Sequence, residues 1–126
     1  ASKDGTLVID PELTFASFSG SAANNFGFTA TYDGDGALYG GGIAFGLGYP
    51  VTPGVQQGAD GGGNIDIGIS KWSPDGTTLE WSTYLGGTGN ETPTSLVVNS
   101  NNELFVLAIT GSTDYPTTAG CSANTG

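Results

Sequence analysis

The feature that most constrains this chain is that it repeats. Leu13-Thr14-Phe15-Ala16-Ser17-Phe18-Ser19-Gly20-Ser21 is echoed by Leu79-Glu80-Trp81-Ser82-Thr83-Tyr84-Leu85-Gly86-Gly87, 66 positions later. The same offset holds without a gap from Leu13 to Gly54. Asn24 meets Asn90, Asp33 meets Asn99 and Gly36 meets Asn102. Leu38-Tyr39 meets Leu104-Phe105, Ile43 meets Ile109, and Tyr49-Pro50-Val51-Thr52 meets Tyr115-Pro116-Thr117-Thr118. Aromatic replaces aromatic and turn-former replaces turn-former. A unit of this kind buries its faces by stacking on its neighbours, so the repeat predicts an array rather than a self-contained core.

Composition says what kind of unit it is. Gly accounts for 23 of 126 residues, charged residues for 11%, and there is no Met or His. Short runs rich in Thr, Val, Ile and aromatics are broken by Gly, Asn, Asp and Pro, the pattern of many short strands and tight turns. The first copy predicts strands at Leu13–Phe18, Gly27–Tyr32, Ala37–Ala44 and Asp66–Trp72. The second predicts strands at Leu79–Leu85, Thr94–Val98 and Glu103–Thr110. Asp33-Gly34-Asp35-Gly36, Asn99-Ser100-Asn101-Asn102 and Ser73-Pro74-Asp75-Gly76 supply turns. The expected architecture is all-β: four-stranded antiparallel β-propeller blades, about two of them, belonging to a larger propeller, since closure takes roughly four to eight. Residues 1–12 read as a linker with an incoming strand at Thr6-Leu7-Val8-Ile9, 13–78 as blade 1 and 79–126 as an incomplete blade 2. Phe15 and Trp81 should then occupy equivalent places. The opening Ala1-Ser2-Lys3-Asp4 and the abrupt end at Gly126 read as cut ends of a fragment.

Most chemistry is excluded by what is missing. Net charge is −10 and the basic residues are Lys3 and Lys71 alone, so neither nucleic acid nor anionic lipid is an expected partner. No run approaches the roughly 20 apolar residues of a membrane span. Without His no Ser-His-Asp or Cys-His arrangement and no His/Cys zinc site can form. Cys121 has no internal disulfide partner. Gly40-Gly41-Gly42 and Gly61-Gly62-Gly63 lack the Lys of a phosphate loop and read as close packing and a loop. Asp33-Gly34-Asp35-Gly36 invites calcium, but the spacing lacks the later acidic ligands and the second copy has Asn99 and Asn101, so a β-turn is expected. Asp60 and Asp66, flanking a Gly-rich loop with Asn64, are a second, weak cation candidate. Trp72, Trp81 and Tyr84 are sugar-stacking residue types but at strand positions read as core. No catalytic, cofactor-binding or metal-ligating residue is assigned.

The motifs carry a resemblance. Trp81-Ser82-Thr83-Tyr84-Leu85-Gly86-Gly87-Thr88-Gly89-Asn90 resembles the YSTYLGGSGND hallmark of the bacterial SBBP (seven-bladed β-propeller) repeat. Leu104-Phe105-Val106 with Thr110-Gly111-Ser112-Thr113-Asp114-Tyr115-Pro116-Thr117-Thr118 is similar to its VYVTGYTSSTDFPTT stretch. Ile67-Gly68-Ile69-Ser70-Lys71-Trp72-Ser73-Pro74-Asp75-Gly76-Thr77 is similar to AFVAKLNPDGT. The first copy diverges, with Ser19 and Ser21 at hallmark positions. Val8-Ile9-Asp10-Pro11 resembles the start of such propellers in large surface proteins of gliding bacteria. The resemblance implies a secreted or cell-surface protein, export by the type IX route, and a role in adhesion or gliding motility. The expected function is a non-catalytic structural and interaction module. Its partners would be the rest of its own propeller, secretion or cell-surface proteins, and glycans. A carbohydrate-binding propeller and an accessory domain of a secreted enzyme are the alternatives. In a bacterial protein the Asn90-Glu91-Thr92 glycosylation pattern is a coincidence.

Overall fold

Each copy of the repeat closes on the same turn. In a computed structural model of the chain, which describes residues 12–117, Asp33 Oδ1 accepts the N–H groups of Asp35 (3.1 Å) and Ala37 (2.9 Å). In the second copy Asn99 Oδ1 accepts those of Asn101 and Glu103, both at 2.9 Å. An Asp or Asn side chain that binds its own backbone two residues on is a ready-made turn. Gly36 at φ 88° and Asn102 at φ 61° take the left-handed position that each turn needs; Asn is among the few non-Gly residues that tolerate it.

These turns close two hairpins, β1 (Asn25–Tyr32) with β2 (Leu38–Ala44), and β5 (Glu91–Val98) with β6 (Leu104–Thr110). Their registers are the same 66 residues apart: Asn25 faces Ala44 as Glu91 faces Thr110, and Tyr32 faces Leu38 as Val98 faces Leu104. Even the bulge between Gly27 and Thr29 recurs between Pro93 and Ser95. Phe45 N–H donates to Asn24 O and Gly111 N–H to Asn90 O, each at 2.9 Å. The repeat in the sequence is thus a repeat in the hydrogen bonding.

β3 (Asp66–Trp72) adds to β2, and β4 (Leu79–Leu85) adds to β3, giving one antiparallel sheet in the order β1-β2-β3-β4 beside the two-stranded β5-β6. The β3–β4 turn is held by Asp75, whose Oδ1 accepts from the Ser73 hydroxyl (2.6 Å) and from the Thr77 N–H (3.1 Å) and hydroxyl (2.8 Å). Residues 52–57 run along β4: Thr52 N–H donates to Ser82 O and Tyr84 N–H to Gln57 O. That loop covers what would otherwise be an open sheet edge. All-β character is as expected; among the described residues there is no helix, and so none long and apolar enough to cross a membrane.

Two differences from the sequence reading concern the first predicted strand. Leu13–Phe18 is not a strand. Leu13 and Phe18 are exposed, and Phe15 lies over Gly76, where a Cβ would collide with its ring. Trp81, its repeat partner, sits in β4 with its ring 5.9 Å from that of Tyr39, so the two are not equivalent. The physical reason is pairing. β4 is held by β3, the strand before it, and no strand precedes residue 13 among the described residues. The hydrogen-bonded sheet therefore takes three strands from the first copy and one from the second, one strand out of phase with the 13–78 unit. The incoming strand expected at Thr6–Ile9, and Cys121, lie outside the described residues.

The second hairpin stacks face to face on the first sheet. Ala37, Tyr39 and Leu96 form a buried cluster, with Trp81, Val98, Leu104 and Val106 packed around it. Leu96 comes so close to β2 that a Cβ on Gly41 would lie 2.8 Å from its Cδ1, which accounts for a glycine in the middle of a strand. The turns stack as well: Gly34 N–H donates to Asn102 Oδ1 (3.4 Å) and Asn102 Nδ2 to Asp35 Oδ2 (3.0 Å).

Candidate functional site

One strand of each sheet begins with a buried carboxylate, and the two meet. Asp66 opens β3 and Glu91 opens β5, each with no exposed surface. They face each other across the Cα of Gly86, where a Cβ would collide with Asp66 Oδ1 and lie 2.7 Å from Glu91 Oε2. Glu91 is well supplied with donors. Its Oε1 accepts the Thr110 hydroxyl (2.7 Å) and the Ser112 hydroxyl (2.6 Å), and its Oε2 accepts the Gly87 N–H (3.0 Å). Asp66 Oδ2 accepts the Gly61 N–H at 2.5 Å, while Oδ1 is buried with no donor.

Their surroundings drive the two carboxyls to opposite sides of their ordinary pKa values. Burial pushes Asp66 up, to about 6; the Gly61 N–H opposes the rise, and Glu91 and Asp60 add to it. Burial works against the charge of Glu91 too, but the Ser112 hydroxyl, the Gly87 N–H and the Thr110 hydroxyl outweigh it and hold Glu91 below the ordinary glutamate range. Two carboxylates in contact do not both ionise easily. The arrangement makes Asp66 the acid and Glu91 the acceptor of its proton.

The residues singled out from the sequence are dispersed. Asp33 is a structural anchor: beyond the turn bonds, its Oδ2 accepts Tyr39 Oη at 3.1 Å and pairs with Lys71 Nζ at 3.2 Å. Burial raises its pKa, yet the Ala37 N–H, Lys71 and Tyr39 bring it below the usual carboxylate range. All its lone-pair directions are in use within the protein. Lys71 also pairs with Glu80 at 3.0 Å and lies over the Tyr39 ring. Asp60 Oδ1 accepts the Gly62 N–H, and its Oδ2, like Asp66 Oδ1, is buried without a donor. Asn64 uses its backbone N–H on Asn90 Oδ1. Among the described residues no three His, Cys, Asp or Glu side chains are placed together to hold a metal ion.

The aromatics divide. Tyr84 is buried, donating to Gly46 O and accepting Tyr49 N–H, both at 2.9 Å. Trp72 lines a cavity of about 420 Å³ with Gly40, Gly42, Gly68 and Ser70. Trp81 lines a groove of about 540 Å³ with Ile69, Leu85, Leu104 and Val106.

Glu91 was missed as a site residue because its triplet with Asn90 and Thr92 reads first as a glycosylation pattern. The usable signal is its repeat partner, Asn25: a neutral residue in one copy is charged in the other, shortly after the Gly86-Gly87 pair.

A second feature is exposed. Tyr39 and Ile43 are 3% and 9% exposed beneath the second hairpin, yet their repeat partners Phe105 and Ile109 are 56% and 68% exposed, as is Leu107 at 64%. The outer face of β6 is the same face that stacking covers in β2. Compared with family models, curated proteins and solved structures, the chain matches none of them.

Proposed function

We propose that this chain is a non-catalytic structural and interaction module, two successive blades of a larger β-propeller in a secreted or cell-surface bacterial protein. The observation that carries the reading is the exposed Phe105–Leu107–Ile109 stripe on β6. One hairpin already buries this face under the next, and register, bulge and turn are the same in both. Stacking of the same kind continues at β6 if a further unit follows, and a head-to-tail contact that repeats must either close into a ring or run open. The SBBP resemblance favours the ring. It also supplies the expectations of type IX export, adhesion and gliding motility, which rest on the motifs alone.

The groove beside Trp81 supports the same reading better than it supports sugar binding. It lies next to β6, on the side where β2 receives β3 in the first copy. A strand added to β6 would run through it over Ile69 and Trp81.

Electron microscopy of the parent protein tests the fold: a ring of radially stacked sheets is expected, and a solid globule or an open filament would refute it. Glycan-array binding by the closed protein, lost on Trp81→Ala, would replace the scaffold reading with the carbohydrate-binding one.

A further inference from the structure

We propose that Asp66 and Glu91 share a single proton and form a pH-responsive latch that grips the second hairpin onto the four-stranded sheet. The proposal concerns the joint between two units and does not depend on the export or propeller reading.

The geometry carries it. The two carboxyls come from different sheets, one at the start of β3 and one at the start of β5, and neither is exposed. They close on each other above Gly86, the first residue after β4, which has no side chain to separate them. Asp66 Oδ1 is the orphan: buried, without a donor, and beside Glu91 Oε2, since both atoms crowd the one Cβ position at Gly86. A proton on Oδ1 turns that orphan into a donor and satisfies it. Glu91 already accepts three donors from the second unit, so it is the stronger acceptor and Asp66 the proton carrier.

Among the described residues no nearby charge offers another solution. The groups facing the pair are Asp60 from the preceding loop and Tyr115 from the segment after β6; Asp114, on that segment, is tied to Thr88. All are acidic or phenolic. Lys71, the one basic residue among the described residues, is at the far end of β3 with Asp33 and Glu80. When the shared proton leaves, two buried anions touch, and the contact between sheets becomes repulsive.

The sign follows from each member. Asp66 rises above its unfolded value of 3.8, to about 6, so its contribution is full at low pH and is lost as pH climbs from about 4 through 6. Glu91 falls below 4.5, so its contribution is present above that value and is lost as pH drops through its lowered pKa. The pair titrates as a unit, and its grip is greatest where the two windows meet, at about pH 4 to 5.

The test is a carboxyl-carbon NMR titration of the 126-residue chain, read with amide exchange at Gly87. Asp66 is expected to keep its proton to near pH 6. Protection at Gly87, corrected for intrinsic exchange, is expected to fall between about pH 4 and 6 and to level off above, by on the order of tenfold per unit of pKa shift expressed. Asp66→Asn keeps a donor that does not titrate, and should hold Gly87 protection level from about pH 4.5 to 8, across the range in which the wild type loses it. Should that variant fail to fold, the wild-type titration decides, with Glu91→Gln expected to bring the Asp66 midpoint down. An Asp66 midpoint near 4, or Gly87 protection that is flat in the wild type, overturns the proposal. So does millimolar calcium restoring protection at pH 8 in the wild type and not in Asp66→Asn, because the pair would then be a cation site.

Discussion

Truncating Leu96 to alanine probes the stack at its centre. Leu96 is 4% exposed and lies on Gly41, beside Ala37 and Tyr39. The change removes three carbon groups, about 2.4 kcal/mol at roughly 0.8 kcal/mol for each buried methylene. The hole it leaves cannot be filled from below, because residue 41 has no side chain. With the cavity term the cost is about 3 kcal/mol, a large share of the roughly 5–15 kcal/mol that holds a domain of ordinary stability. The repeat supplies its own control at position 41 and its partner. Leu107 occupies the same place in the second copy but is 64% exposed, so Leu107→Ala should change stability by no more than about 0.5 kcal/mol. Gly41→Ala should cost about 1–3 kcal/mol, since the new Cβ lies 2.8 Å from Leu96 Cδ1 and Leu96 must move. Urea unfolding followed by tryptophan fluorescence, compared at constant slope, measures all three. Equal midpoint shifts for Leu96→Ala and Leu107→Ala would refute the claim that one face is covered and its repeat partner open.

Three further outcomes follow from other parts of the structure. Gly86→Ala should destabilise the chain more than Gly40→Ala, measured by thermal melting, because its Cβ would strike Asp66 Oδ1 and crowd Glu91 whereas position 40 is open. Asp75, held at about 2 by the Ser73 hydroxyl and the Thr77 N–H and hydroxyl, stabilises the β3–β4 turn above pH 4 and ceases to do so as pH falls toward 2; Asp75→Ala should abolish that part of the acid-limb dependence of the melting temperature. The unmodified chain should associate with rising concentration in sedimentation velocity, and Leu107→Lys with Ile109→Lys should suppress this by placing charge on the exposed stripe.

The sequence carried the local elements because their causes are local. An Asp or Asn at the head of each turn, and alternation or apolar runs on either side, were enough to place β1, β2, β3, β5 and β6 to within two or three residues. The triple glycine in β2 was readable as close packing, and Leu96 is what packs there. Leu13–Phe18 was misread because a strand needs a neighbour: Leu79–Leu85 has β3 and Leu13–Phe18 has none among the described residues. The acid pair was illegible for a related reason. Asp66 and Glu91 meet only after β4 has crossed back along β3 and the Gly86–Asn90 loop has turned the chain onto the second sheet. Nothing in the spacing of two lone acids reveals that path.

The one-strand offset between sequence unit and sheet has a mechanical consequence. If each sheet were built from one copy, neighbouring units would be joined by packing and a single loop. Here β4, from the second copy, is hydrogen-bonded to β3 from the first, from Ile67–Leu85 to Trp72–Leu79. Pulling the second unit away must therefore either strip β4 from its sheet or unfold the Gly86–Asn90 loop, whose Gly87 and Gly89 amides are tied to Glu91 and Ser112. The first route breaks the β3–β4 ladder and the second breaks amide hydrogen bonds to the Glu91 and Ser112 side chains, and separating the two sheets uncovers the Tyr39–Leu96 cluster. Load along the chain is thereby shared between a strand ladder and a stacked face, so neither need be strong alone.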